Sequence, residues 1–318
     1  MTATGRGASA ASNDARDEVP GTERANHAAR SLEDLPTLEL LRLMNDEDAR
    51  VAGAVAAQLP AIAEAVDAIA ERVRLGGRLF LVGAGTSGRL AVIEAAEVPP
   101  TFGVASGMVI AVIAGGADAV TRSHEGAEDE GPSGAAQMAR LAVGRDDAVV
   151  GISASGRTLF VMGAIEEARR REALTIGLCC DHPAPLSAAV RIAIHPVTGP
   201  EVIAGSTRLK AGSAQKLVLN MLTTGVMVRL GRVHGNLMID VQATNAKLRR
   251  RVLSIVEEVT GQSGQAVDQA LDAAGWSARV AVVMLARGVD AEESKRLLDS
   301  GLPLDRLIET RAGERRDG

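Results

Sequence analysis

The middle of the chain carries short apolar runs that alternate with longer segments of helical spacing. These runs have no polar face, and they lie at Leu79–Val82, Met108–Ile113, Val149–Ile152, Leu174–Cys179 and Ile192–Ile194. Strands that are apolar on both faces are typical of a parallel sheet that helices cover on two sides. Right-handed crossovers through the intervening helices then predict an α/β fold with a doubly wound, mainly parallel sheet.

Helical spacing also precedes the first predicted strand. Apolar residues crowd the stretch 38–44 and then recur three and four residues apart, which predicts leading helices, at Val51, Val55, Leu59, Ile62 and Val66. Upstream of these helices the sequence is rich in Ala, Gly, Ser and charged residues and has no periodic apolar face. Residues 1–31 are therefore predicted to form a disordered tail.

The strand pattern stops near Lys247, and amphipathic helical spacing replaces it. Four helices are predicted, around residues 252–259, 266–271, 279–286 and 291–298. Asp290 is a candidate N-cap of the last helix, and Gly301 is a candidate C-terminal stop. We therefore divide the chain into an α/β domain with its leading helices at 32–247, a small helical domain at 248–310 and a tail at 311–318.

Composition narrows the range of partners. Hydrophobic residues make up 46% of the chain but aromatic residues only 1%, and the net charge is -5. Without a broad basic field or stacking aromatics, a nucleic-acid partner is not expected. No apolar stretch approaches the roughly 20 residues of a membrane span, and the N-terminus lacks the charged-then-apolar order of a secretion signal. We expect a soluble, cytoplasmic protein that does not bind membranes.

The thiol and imidazole side chains give no sign of a metal site. Cys179 and Cys180 adjoin each other, which is typical of neither disulfides nor metal clusters, so they are expected to be buried small hydrophobes. The histidines show no paired ligand spacing, and they are His27, His124, His182, His195 and His234. We expect no bound metal.

Two of the predicted strands end in loops rich in glycine and hydroxyl groups. Gly83–Arg89 reads Gly-Ala-Gly-Thr-Ser-Gly-Arg, Ser153–Thr158 reads Ser-Ala-Ser-Gly-Arg-Thr, and a predicted helix follows each loop. Ligands of open α/β sheets bind beyond the carboxyl ends of the strands. Glycine allows an anion to approach closely, and a new helix offers it unpaired N–H groups. Neutral hydroxyl donors suit a phosphate monoester, and the candidate phosphate ligands are Ser87, Ser153, Ser155 and Thr158.

Either loop alone has other interpretations. The first loop fits the G-x-G-x-x-G pattern of dinucleotide-binding proteins, but an acidic ribose ligand about 20 residues further on is not evident. The lysine of a P-loop is absent as well. An ordinary capped turn between strand and helix would also fit one loop. Two hydroxyl-rich loops at separate strand ends favour a phosphate site over coincidence.

The two loops resemble those of the sugar isomerase (SIS) domain, an α/β module that binds phosphosugars. Further motifs follow in order along the chain, and they are Glu94–Gly103, Ile113–Gly116, Glu125–Asp129, Gly199–Gly212 and Gly235–Val241. Together they resemble the N-acetylmuramic acid 6-phosphate etherases, from about Thr22 into the C-terminal helices. The resemblance implies a SIS domain at 32–247 with an appended C-terminal helical domain, a homodimer, and a small-molecule sugar phosphate as partner.

The resemblance also implies a reaction that needs no cofactor. N-acetylmuramic acid 6-phosphate and water give N-acetylglucosamine 6-phosphate and D-lactate, a step in the recycling of cell-wall sugars. The family's two catalytic glutamates fall on Glu97 as the general acid and on Glu128 as the general base. Family members often have Tyr where His234 stands, and this chain has no Tyr.

Elementary chemistry is consistent with two carboxyl groups. In the open-chain sugar the C1 aldehyde acidifies the C2–H, and the lactyl ether on C3 leaves by β-elimination before water adds. Such a carbon–oxygen lyase needs a base at C2 and an acid at the ether oxygen, each contributing about 10²–10⁴-fold. Apart from the resemblance, Glu97 could be an ordinary helical carboxylate and Glu128 a solvated charge. Glu125 competes with Glu128 for the role of base, because the two could share a helix face.

The remaining candidates have two interpretations each. Candidates for the sugar pocket are Thr86, Gly156, Glu201, Ser206 and Thr207. Either hydroxyl of the last pair could instead cap a helix. Arg89 and Arg157 follow the two loops and could contact the ligand or form surface ion pairs. The competing functions are a phosphosugar isomerase and a non-enzymatic sugar-phosphate sensor, and the retention of both glutamates favours the etherase.

Overall fold

Five parallel strands form one sheet in the order β2-β1-β3-β4-β5. The computed structural model describes residues 19–309, and its strands are β1 Leu79–Gly83, β2 Val109–Ile113, β3 Ala148–Ile152, β4 Leu174–Leu178 and β5 Ile192–Ile194. Every neighbouring pair is parallel. The predicted α/β sheet is confirmed, with Met108 and Cys179 lying just outside the strands.

Both faces of the sheet are covered, which explains why its strands have no polar side. In β1, Leu79 and Leu81 belong to one buried core, whereas Phe80 and Val82 belong to a second core on the opposite face. The helices on the first face are α1 Thr37–Asp48, α2 Val51–Ala56, α3 Leu59–Arg74, α4 Gly85–Phe102 and α8 Lys210–Arg229. The helices on the second face are α5 Gly131–Arg140, α6 Leu159–Arg170 and α7 Pro185–Ala189.

The leading helices confirm the helical spacing upstream of β1. Helices α2 and α3 bury Val51, Val55, Ile62 and Val66 in the first core. Within residues 19–309 no single helix has the length and apolarity of a membrane span. The bent pair Thr37–Ala56 and Leu59–Arg74, with 58° between its halves, meets that criterion only as a pair and only by length and composition.

Helices α5 and α6 cross with their backbones in contact because glycines lie at the crossing. A Cβ atom on Gly163 would lie 2.1 Å from the carbonyl oxygen of Gly131, and one on Gly134 would lie 1.9 Å from that of Phe160. A backbone carbonyl cannot move aside unless the two helices separate. The crossing therefore fixes the start of α5, which follows directly on the segment that carries Glu128.

Gly163→Ala should destabilise the protein. The added methyl group overpacks the crossing, and we expect the free energy of unfolding to fall by about 1–3 kcal/mol. Gly53→Ala in α2 is the matched control, because a Cβ there meets no atom of the described chain within 4 Å. The control should gain about 0.5–1 kcal/mol, since alanine is the better helix former. Urea unfolding measures both values, and unchanged stability of Gly163→Ala would contradict the close crossing.

The C-terminal helices build a third core of their own. Five helices lie here in the described chain where four were predicted, namely α9 Ala246–Thr260, α10 Gln265–Ala273, α11 Ala278–Arg287, α12 Ala291–Asp299 and α13 Leu304–Ile308. Asp290 Oδ1 accepts a backbone hydrogen bond of 2.8 Å from α12, which confirms it as the N-cap. The core extends upstream to Ile239 and Val241. Trp276 packs against it, with Arg249 Cζ 5.1 Å from its ring centroid.

The predicted tail of residues 1–31 includes a segment that packs on the α/β domain. Residues 1–18 and 310–318, with the predicted C-terminal tail, lie outside the described part of the chain. Gly21–Glu23 form a short 3-10 helix in which Thr22 is buried. The first N–H of this helix donates to Asp181 Oδ2 at 3.1 Å. The prediction of a disordered tail is therefore corrected for Gly21–Glu23. This segment packs through its backbone and through single polar contacts, and such contacts leave no periodic pattern in the sequence.

Candidate active site

A cavity of about 370 Å³ lies beyond the carboxyl ends of β1 and β3. These strands are neighbours, and the chain leaves them toward opposite sides of the sheet, from β1 to β2 and from β3 to β4. Open α/β sheets bind ligands at such switch points. The cavity is lined by all four predicted phosphate ligands and by three further candidates: Ser87, Ser153, Ser155, Thr158, Thr86, Thr207 and Glu128.

The loop after β1 turns into α4 through a close approach at Gly88. A Cβ atom on Gly88 would lie 2.9 Å from the Gly83 carbonyl oxygen and 2.5 Å from the Ile113 side chain. Only glycine therefore allows the first turn of α4 to sit directly on the strand end. Residues 85–87 of this turn line the cavity, so the unpaired N–H groups at the start of α4 are available to an anion.

The Ser87 side chain is fixed from behind by α8. Ser87 is buried, and its Oγ donates to Gln215 Oε1 at 2.9 Å. Gln215 is itself buried and positions the serine against the cavity wall. Sequence reasoning missed Gln215, because one glutamine within a helix belongs to no motif and has no spacing signal.

The loop after β3 arranges its hydroxyl groups by hydrogen bonds within the loop. Ser153 Oγ lies 2.8 Å from Thr158 Oγ1 and accepts from the Gly156 N–H at 3.0 Å. Ser155 Oγ accepts from the Arg157 N–H at 3.3 Å. Gly156 has a φ of +67° and does not line the cavity, so it shapes the loop rather than binding a ligand. Helix α6 begins directly after Thr158, whose side chain makes no capping bond to it.

One of the two predicted catalytic glutamates lies in the same cavity. Glu128 belongs to a short 3-10 helix, Ala127–Asp129, and it lines the cavity together with Asp129. Glu125, its competitor for the role of base, does not line the cavity. The structure therefore brings Glu128, and not Glu125, together with the two hydroxyl loops.

The second predicted glutamate lies elsewhere in the same chain. Glu97 is exposed on α4 and does not line the cavity. It follows Gly85, the first residue of α4, by more than three helical turns, which is about 18 Å at about 1.5 Å per residue. The two predicted catalytic carboxyl groups are therefore not brought together within one chain.

A buried carboxyl group lies one helical turn before Glu97. Glu94 Oε2 accepts from Thr223 Oγ1 at 2.6 Å, and Oε1 accepts from Asn220 Nδ2 at 2.9 Å. Burial raises the pKa of Glu94 above its ordinary value, and the charge of Glu97 acts in the same direction. Glu97 thus lies beside a second acidic group that is held in place by α8.

Two other predicted pocket residues do not line the cavity. Glu201 is fully buried, and its carboxylate accepts from the backbone N–H groups of Lys210 at 3.0 Å and Ala211 at 2.9 Å. It therefore caps the start of α8. Burial raises the pKa of Glu201, although these two hydrogen bonds oppose the rise. Ser206 lies in the turn before α8 and, like Glu201, is not part of the cavity wall.

The two candidate arginines have different surroundings. Arg89 donates through Nε to the Val120 carbonyl at 2.9 Å and through Nη2 to the Arg122 carbonyl at 3.0 Å, so it holds the segment after β2. Arg157 lines the cavity. The structure therefore separates two residues that the sequence presents alike.

His234, Cys179 and Cys180 lie away from the cavity wall. His234 Nδ1 is 2.7 Å from Asp305 Oδ1, and this contact joins the segment before α9 to α13. Both cysteines are free and buried, as predicted. Among residues 19–309 no three or more His, Cys, Asp or Glu side chains are grouped to hold a metal ion.

The class of protein follows from a parallel α/β sheet with two hydroxyl-rich loops at its switch point, which is the SIS-domain fold. Residues 61–169 match the glucokinase regulatory protein N-terminal SIS domain, and residues 129–225 match the SIS domain.

Curated relatives identify the family within the SIS-domain proteins. The chain is 54% identical to the N-acetylmuramic acid 6-phosphate etherase of Rubrobacter xylanophilus, over 88% of this chain and 93% of that protein. It is 52% identical to the same-named protein of Symbiobacterium thermophilum, over 84% and 89%, and 50% identical to that of Streptomyces avermitilis, over 89% and 91%. The chain belongs to the N-acetylmuramic acid 6-phosphate etherase family.

Proposed function

We propose that the chain cleaves the D-lactyl ether of N-acetylmuramic acid 6-phosphate and yields N-acetylglucosamine 6-phosphate and D-lactate, in the recycling of cell-wall sugars. One observation carries the proposal: in a member of this family, Glu128 lies in one cavity with both hydroxyl-rich loops. A base and a phosphate cradle are thus available to the same small molecule.

The phosphate is bound by neutral donors in this proposal. Helices α4 and α6 both begin at the cavity, and their N-terminal N–H groups favour an anion. The hydroxyl groups of Ser153, Ser155 and Thr158 complete the cradle, and Ser87 joins them when its O–H turns from Gln215 Oε1 to the phosphate. Binding of the phosphate on C6 then holds C2 and C3 of the open-chain sugar at a fixed distance from Glu128. Such positioning lowers the entropic part of the activation barrier.

The reaction is a carbon–oxygen lyase reaction that uses side chains alone. Glu128 removes the C2 proton, which the C1 aldehyde acidifies, and the C3–O bond breaks as the electron pair forms the C2–C3 double bond. Glu97 gives a proton to the departing lactate oxygen. Water then adds at C3 and a proton returns to C2, with the acid and base roles reversed. The proton transfers balance between the two carboxyl groups, so this route uses no metal or organic cofactor.

We propose that the site is completed by a second copy of the chain. Glu97 lies about 18 Å along α4 from the cavity end of that helix, as helix geometry gives, so a partner must supply it if it acts at the ether oxygen. Two apolar side chains near Glu97 are exposed to solvent in the single chain. Ile93, on the same face of α4, is 53% exposed, and Met221 on the neighbouring α8 is 38% exposed. A symmetric homodimer through this surface would form two equal sites.

The proposed compartment is the cytoplasm. Cys179 and Cys180 are both free thiols in the structure, which suits a reducing compartment. Fractionation of the source cells, with the protein followed by antibody, tests this proposal directly.

The test of the proposed function is turnover in ¹⁸O-water. Purified, chelator-treated protein is incubated with N-acetylmuramic acid 6-phosphate, and the products are read by mass spectrometry. Elimination followed by hydration predicts one solvent oxygen in N-acetylglucosamine 6-phosphate and none in D-lactate. Label in lactate would replace elimination with displacement at the lactyl carbon. Tight binding of the sugar phosphate without lactate release would favour a sensor.

A further inference from the structure

Arg157 is a cation in the cavity wall that has no anionic partner in the described chain. Its backbone N–H donates to Ser155 Oγ, and the residue lines the cavity. The Nε atom is buried and makes no hydrogen bond within residues 19–309. The other charged residues of the described cavity wall are acidic: Glu23, Glu128 and Asp129.

A buried guanidinium N–H without a partner costs stability, and a ligand in the cavity that accepts from the Nε–H of Arg157 would offset this cost. The planar guanidinium fork matches carboxylate and phosphate oxygens. Arg89, beside the other loop, gives its N–H groups to two backbone carbonyls instead. The contrast indicates that Arg157 is available to an anionic ligand, whereas Arg89 is not.

The substrate of the proposed function carries two anionic groups, a phosphate on C6 and the carboxylate of the lactyl group on C3. The phosphate already has two helix N-termini and a set of hydroxyl groups in this cavity. The carboxylate belongs to the group on C3, so it lies close to Glu128, which acts at the neighbouring C2. A second carboxylate near Glu128 and Asp129 needs a cation beside it, because like charges at short range repel.

We propose that Arg157 binds the carboxylate of the lactyl leaving group and selects substrate over product; this inference rests on the proposed function. The positive charge of Arg157 then offsets the repulsion between the lactyl carboxylate and Glu128. N-acetylglucosamine 6-phosphate lacks the lactyl group and makes no contact of this kind, so Arg157 adds affinity for the substrate alone.

The experiment compares Arg157→Gln and Arg157→Lys with Thr158→Val. For Arg157→Gln we expect kcat/KM for N-acetylmuramic acid 6-phosphate to fall about ten- to a hundredfold, as for a lost hydrogen bond to a charged group. The Kd of N-acetylglucosamine 6-phosphate, measured by calorimetry, should stay unchanged, and this also verifies folding. Arg157→Lys keeps the positive charge but loses the planar, two-pronged guanidinium group, so we expect kcat/KM to fall by an intermediate amount. Thr158→Val, a phosphate ligand, should weaken substrate and product alike.

Two outcomes would overturn the proposal. Equal weakening of substrate and product by Arg157→Gln would assign Arg157 to the phosphate, and no change in either would remove it from the ligand site. Failure of the proposed function is a separate result, in which the wild-type protein releases no lactate. In that case the Kd values of both sugar phosphates are measured directly, and a selective loss for the lactyl compound would still support Arg157 as its carboxylate ligand.

Discussion

A heterodimer that combines a Glu97→Gln chain with a Glu128→Gln chain should regain about half of the wild-type activity per dimer, because one of its two symmetric sites is intact. Each variant alone should lose about 10²–10⁴-fold in kcat, the usual contribution of a positioned acid or base. Co-expression of the chains with two different tags, followed by two affinity steps, isolates the heterodimer. Lactate release then measures the recovery.

The reciprocal control is a wild-type chain paired with the double variant Glu97→Gln/Glu128→Gln. If each site takes Glu128 from one chain and Glu97 from the other, both sites of this heterodimer lack one carboxyl group and it is inactive. If both glutamates act within one chain, the wild-type chain keeps its own site and about half of the activity remains. The two heterodimers therefore give opposite results under the two arrangements. Activity in the second with none in the first would refute the shared site.

Proton exchange separates the roles of the two glutamates. In deuterated water Glu97→Gln should still exchange the C2 proton of the substrate without releasing lactate, because the base is intact and the acid is missing. Glu128→Gln should suppress both exchange and cleavage. Mass spectrometry of the recovered substrate measures the exchange. Loss of exchange in Glu97→Gln would assign the base to Glu97 instead.

The sheet could be predicted because its strands are apolar on both faces. Burial on both sides leaves short runs such as Leu79–Val82 without a polar position, and the alternation of β1 residues between two cores accounts for that pattern. The two loops could be predicted for a similar reason, since a strand that ends in glycine and hydroxyl residues before a helix is a local pattern. Both kinds of signal lie within one stretch of sequence.

Contacts between distant segments have no such signal. The Gly21–Glu23 segment binds Asp181 through one backbone N–H, so nothing in its own composition distinguishes it from a tail. Gln215 reaches Ser87 across 128 positions of sequence. A family motif also does not show whether a residue binds the ligand or holds a neighbouring part of the fold in place. Glu201 lies in a motif of the resemblance, yet its carboxylate is occupied by the first N–H groups of α8.

The separation of Glu97 from the cavity could not be read from the sequence either. A motif identifies a residue type at a position in the sequence, but it does not show where in the fold that residue lies relative to the cavity. Arg89 and Arg157 illustrate the same limit, because each follows a loop of similar composition. Only the folded chain distinguishes the arginine that holds a backbone segment from the one that lines the cavity.

A buried ion pair joins α1 to the start of α8. Lys210 Nζ contacts Glu47 Oε2, and the two side chains are only 2% and 3% exposed. Arg50 Nη1 lies 3.0 Å from the other oxygen, Glu47 Oε1. Lys210 follows closely on Gly205 and Thr207, which line the cavity. The ion pair thereby ties that part of the cavity wall to α1.

Glu47→Met should lower the free energy of unfolding by about 3–5 kcal/mol, because it leaves the Lys210 ammonium buried without its counter-charge. Lys210→Met should cost less, since Arg50 remains beside the Glu47 carboxylate. The double variant Glu47→Met/Lys210→Met should be more stable than Glu47→Met, because neither buried charge remains. Urea unfolding of the three variants measures the coupling, and a double variant whose loss equals the sum of the single losses would exclude it.

At acid pH the free energy of unfolding of the wild-type protein should fall, in part because the Glu47 carboxylate takes up a proton. Burial raises the pKa of Glu47, but the hydrogen bond and charge of Lys210 and the charge of Arg50 outweigh it, so this pKa lies below the ordinary value of 4.5. A carboxyl group whose pKa is lowered in the folded state stabilises the fold above its ordinary pKa. That contribution is lost as the pH falls through the folded-state value. The free energy of unfolding should therefore fall more steeply below about pH 5 in the wild type than in Glu47→Met. If the free energies of unfolding of the two proteins change in parallel with pH, the ionisation of Glu47 does not contribute to stability.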